Sequence, residues 1–177
     1  MLLCQDNQYR WCYHICDASS ITGAVSLALS PVGEAVKFYA DNIEYFKAYG
    51  LDKGYDGTFE LAIVPDAFQK DIMGMTEDSK KVLFELQTPT PAPFALLFQF
   101  EGDANATRHA LYNCLATRIN IESSTKTPTL EPKTDTISIE ARPAVDTSYI
   151  KASTKSDTDE TVYNNWFTAV QAFVAGG

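Results

Sequence analysis

Between Gly23 and Thr154 of this 177-residue chain, most segments repeat their apolar residues with a period of two. That period belongs to a strand with one buried and one solvated face. "GAVSLALSP" sets Val25, Leu27 and Leu29 against small and polar partners and predicts a strand ended by Pro31. "EAVKFYA" follows across a "SPVGE" turn. "NIEYFKAY" comes next, with Asp41-Asn42 as the turn or bulge between them. "GTFELAIV" puts Phe59, Leu61 and Ile63 on one face, with Gly54 and Gly57 at its entrance. "KKVLFEL", "TISIEAR" and "SYIKAST" read as further strands, with Ile137 and Ile139 directed inward.

The clearest hairpin is "PFALLFQFEGDANATRHALYNC" at 93–114. "FALLFQF" is a buried strand. "EGDAN" is its turn, where Gly102, Asp103 and Asn105 accept backbone angles that most residues avoid. The return strand is predicted to run from Arg108 to about Glu122. His109, Leu111, Leu115, Ile119 and Ile121 share one face; Arg108, Tyr112, Arg118 and Glu122 share the other. So long a strand requires a wide partner surface or a neighbouring subunit. "QTPTPAP" and "SSTKTPTLEPKTD" at 123–135 are loops by their prolines and polarity.

Helical periodicity is confined to two places. "PDAFQKDIMG" starts at Pro65-Asp66, spaces Phe68 and Ile72 by four and stops at Gly74. In "DTDETVYNNWFTAVQAFV", Asp157 and Glu160 form a capping-box pattern. Val162, Trp166, Val170 and Phe173 then make one apolar stripe, predicting a terminal amphipathic helix with Trp166 in the core. The fold class expected is mainly β: an antiparallel sandwich or barrel with one short helix and a C-terminal amphipathic helix. Residues 1–20 show neither period and read as a distinct segment before a single domain at 21–177.

Composition narrows the function. A net charge of −9 repels DNA and anionic membranes and excludes the usual phosphate grip of clustered Lys and Arg. No stretch approaches the roughly 18 apolar residues of a membrane span. The opening "MLLCQDNQYRWCYHIC" has no basic region, apolar run or cleavage site of a signal peptide, which predicts a cytoplasmic protein. Its Cys4, Cys12 and Cys16, together with Cys114, read as reduced thiols. The alternative, zinc held by Cys4, Cys12, His14 and Cys16, has a spacing unlike that of common zinc sites.

Catalytic motifs are missing. No G-x-S-x-G, P-loop, G-x-G-x-x-G or H-E-x-x-H occurs. His109 alternates with apolar neighbours and reads as a hydrogen-bonded strand histidine. Asn105-Ala106-Thr107 is a sequon in form and a polar turn in substance. Asp157 and Asp159 sit at a helix start, and Asp71 reads as a solvated group. The expectation is a non-enzyme with no catalytic, cofactor-binding or metal residues and no cofactor.

Several phrases in order resemble the major tail protein family of long, non-contractile-tailed bacteriophages. They are "GAVSLALSP" (23–31), "FYADN" (38–42), "ELAIVPDAF" (60–68), "DIMG" (71–74), "PFALLFQFEGDANATRHALYNC" (93–114), "EPKTDT" (131–136) and "YNNWF" (163–167). The resemblance covers 23–167; the cysteine-rich start departs from the family pattern, which begins with a strand. It implies a tail tube subunit, with hexameric rings of self-contacts stacked into a tube around a tape measure protein and closed by a tail terminator. DNA would pass down an acidic lumen without specific binding, and no membrane would be involved. The implied location is the virion tail, assembled in the host bacterial cytoplasm. The length and polarity of 123–135 suggest an arm reaching a neighbouring subunit or ring; the alternative is an idle surface loop. Two other readings stand beside it: a monomeric β-sandwich binding carbohydrate or another ligand through an exposed Trp11 or Trp166, and a hydrolase using acidic residues.

Overall fold

A computed structural model of the chain describes residues 2–5, 19–40, 43–120 and 133–174, with side chains omitted at 2–5, 34–40 and 43–52. Ten strands and two short helices occur in it: β1 (Leu2–Gln5), β2 (Ser19–Ser20), β3 (Ala24–Ala40), β4 (Ile43–Leu61), α1 (Asp66–Asp71), β5 (Thr76–Glu77), β6 (Leu83–Phe84), β7 (Phe94–Gln99), β8 (Arg108–Asn120), β9 (Asp135–Arg142), β10 (Lys151–Ser153) and α2 (Glu160–Asn164). One antiparallel sheet runs β2-β1-β7-β8-β9-β4-β3, with β10 added on β8, and curves into a half-barrel. β5 and β6 form a separate two-stranded hairpin.

Alternation decides what the sheet buries. Phe59 and Leu61 of β4, Ile137 and Ile139 of β9, and Phe94, Leu96 and Phe98 of β7 join one cluster with Leu111. α1 closes it: Phe68 meets the Phe94 ring edge-on at 5.7 Å, and Ile72 lies beneath. This helix begins at Asp66, with Pro65 as its extended N-cap, and the chain turns away at Gly74 with φ +75°. A second cluster joins Leu97 and Ala110 to Trp166, whose indole donates to His109 O at 3.4 Å.

Several expectations need correction. Pro31 does not end its strand, and "SPVGE" is no turn: β3 continues to Ala40. Among the described residues β3 pairs with β4 alone, so its outer edge needs no ladder donor there and tolerates proline. "NIEYFKAY" and "GTFELAIV" are likewise one strand. Its glycines mark close approach rather than an entrance: a Cβ at Gly54 would lie 1.9 Å from Ala141 O, and one at Gly57 2.0 Å from Ala28 O. Ile63 lies beyond the strand end and is exposed. The Asp41-Asn42 turn lies outside the described residues.

In β8 the register slips where Phe94 pairs with Cys114 and Leu96 with Leu111. That bulge turns Cys114 and Ala116 inward in place of Leu115. Residues 121 and 122 and most of the 123–135 loop are not described.

The long C-terminal helix is absent. α2 is five residues, capped by Asp159 rather than Asp157; Asp159 accepts from Thr161 N and Val162 N. "VYNNWFT" is a run of poor helix formers, and Asn165 ends the helix. Val162, Trp166 and Val170 still reach the sheet without helical continuity, whereas Phe173 is exposed and meets the Tyr149 ring. The "KKVLFEL" strand shrinks to Leu83–Phe84.

Candidate assembly surface

The longest strands outrun the sheet that holds them. Among the described residues β9 pairs with β4 only from Tyr55 to Leu61, and β4 from Ile43 to Asp52 pairs with β3 alone, out to Ala40↔Ile43. The result is a two-stranded arm reaching roughly 25 Å past the sheet. Its sequence carries Phe38, Tyr39, Tyr45, Phe46 and Tyr49. A ribbon of two strands has no interior for such residues and is marginal alone. The sheet is also open: β3 is one edge and β2 the other among the described residues. Edges of this kind offer unpaired N–H and C=O groups to another chain.

The outer face of the β3-β4-β9 half is bare of apolar cover. Alternation that sends Phe59, Ile137 and Ile139 inward sends Thr58 and Ser138 outward, where both are exposed. Thr134 Oγ1 donates to Glu60 Oε1 at 2.5 Å and Ser26 Oγ to Oε2 at 2.8 Å; these bonds hold the Glu60 carboxyl below the usual carboxylate range. Arg142 spans Asp56 (2.5 Å) and Glu140 (2.9 Å), and Asp56 raises its already high pKa further. Over the residues named, the face carries short hydroxyls, carboxylates and Arg142, which is paired with two of those carboxylates.

The residues scanned for chemistry are dispersed. The His109 ring stacks on Phe98 at 5.1 Å, and burial lowers its pKa. Asp103 accepts from Asn105 N and Thr107 N, ordering the hairpin turn and bringing the sequon into it. Asp159 is a helix cap, and Asp71 is exposed. Among the described residues no group of three His, Cys, Asp or Glu is placed to hold a metal. The proposed zinc ligands Cys12, His14 and Cys16 lie outside those residues, as does the side chain of Cys4. Trp166 is 4% exposed, which removes it from any sugar-stacking role; Trp11 is not described.

Sequence reasoning missed the arm because Pro31 and the two glycines resemble strand ends. The signal was the pair of continuous apolar patterns flanking Asp41-Asn42.

No family model and no curated protein matches the chain. Among solved structures, a chain of the anti-feeding prophage cap, the tube-terminating cap of that particle, aligns over 87% of this chain and 87% of its own at 9% identity, with a TM-score of 0.44.

Proposed function

We propose that this chain is a structural subunit of a phage-type tail tube, a non-enzymatic protein that completes its β-structure with copies of itself. The observation that carries the reading is the aromatic-rich arm on an open sheet. Contacts around a ring close on themselves, while contacts along the axis stay open and build a filament. Lateral pairing would use the β3 edge, and the bare hydroxyl-and-carboxylate face would line the bore. The reason is volume: the opposite side of the β4-β9 layer carries the core and α1, and bulk belongs at the larger radius. DNA would meet like charge there and slide, since adhesion needs counterion release to Lys and Arg. Hexameric rings, a tape measure protein and a tail terminator are the partners that the sequence resemblance implies.

The test is electron microscopy with sedimentation velocity over a concentration series. Rings or tubes with a central hole are expected. A chain that stays monomeric up to its solubility limit defeats the proposal.

A further inference from the structure

The segment through β6 carries an apolar row that the fold leaves open. Val82, Phe84 and Leu86 stand at alternate positions, each about half exposed. Two ties fix the hairpin that bears them. Arg118, near the close of β8, pairs with Glu85 at 2.5 Å and donates to Leu86 O and Gln87 O. Lys70 of α1 holds the other strand through Glu77 at 2.6 Å. Asp78 accepts from Lys80 N and Val82 N, ordering the turn between the strands. Apolar side chains held in place at the surface mark a contact site. The core does not draw on these three, since none belongs to either buried cluster.

Strand register shows what lies within reach of them. β1 pairs antiparallel with β7, and β7 with β8, so β1 and β8 run in the same direction. Gln5, the last residue of β1, is level with Phe94, and Phe94 with Cys114. Before Phe94 the chain is drawn off to the end of α1, where Ala92 N donates to Ile72 O at 2.8 Å. The chain therefore leaves Gln5 in the direction that β8 takes from Cys114 to Arg118. That step is four residues, about 13 Å. Four residues past Gln5 is Tyr9, the first of a second apolar row: Tyr9, Trp11, Tyr13 and Ile15 alternate along the sequence with Arg10, Cys12 and His14. Thirteen residues, 6–18, separate Gln5 from Ser19 of the paired strand β2. A tight antiparallel turn takes about two to five. Out and back, a segment of this length reaches about 20 Å, enough to cover the step to Arg118 and the chain pinned on it. The other segment that leaves this end of the sheet, 121–132, is polar by comparison, with Ile121 and Leu130 among Ser, Thr, Lys, Glu and Pro.

We propose that residues 9–15 dock on the Val82, Phe84 and Leu86 row of the same chain, one alternating apolar row against another. The cysteine-rich segment then serves the fold by packing, and ties the β1-β2 pair to the β5-β6 hairpin. The inference concerns the lone chain and goes beyond the tube reading, so neither stands or falls with the other.

The test puts a photoreactive benzophenone in place of the Phe84 ring. A dilute, equal mixture of isotope-labelled and unlabelled chains is irradiated and mapped by mass spectrometry. Adducts within one chain on residues 9–15 are expected. Adducts on 121–132, adducts joining labelled to unlabelled chains, or no adducts at all overturn the inference. Trp11 supplies a second reading, taken as the difference in emission between the chain and its Trp11→Phe variant. It is expected to lie to the blue of an exposed indole and to move to the red in Phe84→Asp with Leu86→Asp. Both substituted positions are exposed, and Trp166 emission in a Trp11→Phe background checks that the fold is kept; Phe84→Ser with Leu86→Ser serves where it is not. Trp11 emission that is that of an exposed indole from the start, or that ignores the substitutions, overturns the inference. A chain with 6–18 replaced by a Gly-Ser linker of equal length is expected to bind more of an apolar dye, and to lose the excess when Phe84 and Leu86 are also substituted. Dye binding equal to that of the unsubstituted chain counts against the contact.

Discussion

Arg108 places its guanidinium carbon 3.8 Å from the centre of the Tyr163 ring, joining the start of β8 to the C-terminal segment. The same group lies 4.9 Å from the Phe167 ring and donates to Tyr163 O, while Tyr163 donates its hydroxyl to Ala106 O. With the helix only five residues long, these contacts and Trp166 hold the segment to the sheet. Arg108→Ala is expected to cost about 1–2 kcal/mol in urea unfolding. It should also shift Trp166 emission to the red, read in a Trp11→Phe background. Arg108→Lys should recover less than half, because an ammonium lacks the flat face that covers two rings. Unchanged emission and stability would remove the latch.

The bulge in β8 gives two leucines four residues apart unequal roles. Leu111→Ala opens a cavity in the sealed cluster and is expected to cost about 2–5 kcal/mol. Leu115→Ala, half-buried on the outward side, is expected to cost less than about 1.5 kcal/mol. Equal losses would mean that the register does not slip.

Cys114 is fully enclosed, and burial pushes its thiol up to about 12. At pH 8 it should resist a thiol reagent in the folded protein and react on denaturation, followed by mass spectrometry of its peptide. Labelling in the native state at the rate of an open thiol would contradict that burial.

Acid should unfold the protein from a defined side. Glu60, Glu77, Asp103 and Asp159 are all held below their ordinary values: by Thr134 and Ser26, by Lys70, by the N–H groups of Asn105 and Thr107, and by those of Val162 and Thr161. A depressed carboxylate contributes its stability in full above its unfolded value, about 4, and loses it as pH falls through the folded one. His109, lowered by burial, is neutral-favouring in the fold and adds a loss that begins as pH drops below about 6.5. Melting temperature should therefore be level near neutrality, decline slightly below that and fall steeply under pH 4. Asp103→Asn should flatten part of the steep limb; a limb of unchanged slope would count against the turn's role.

Assignment of the bore can be read by labelling. Ser138→Cys and Thr58→Cys should react in assembled tubes with a small maleimide and not with one on a bulky polymer, while both reagents label the unassembled chain. Reaction with the bulky reagent in tubes would put this face outside. Loss of reaction with both would bury it in a contact.

How much of this could be read from residues alone follows from the range of the forces involved. Period-two alternation is set by local backbone geometry, so the inward directions of Phe59, Leu61, Ile137 and Ile139 were legible. So were the Asp103 turn, the Pro65-Asp66 helix start and the burial of Trp166. The open edge of β3 was not, because Pro31 is forbidden or tolerated according to whether another strand lies beside it. Neither was the role of Gly54 and Gly57, which answers to carbonyls of Ala141 and Ala28 far away in sequence. The C-terminal stripe promised a helix through its spacing. Only the sheet beneath it, supplying Leu97 and Ala110, allowed Val162, Trp166 and Val170 to pack without one. The arm belongs to that second category: local pattern makes strands, and tertiary pairing decides which of them outrun the sheet.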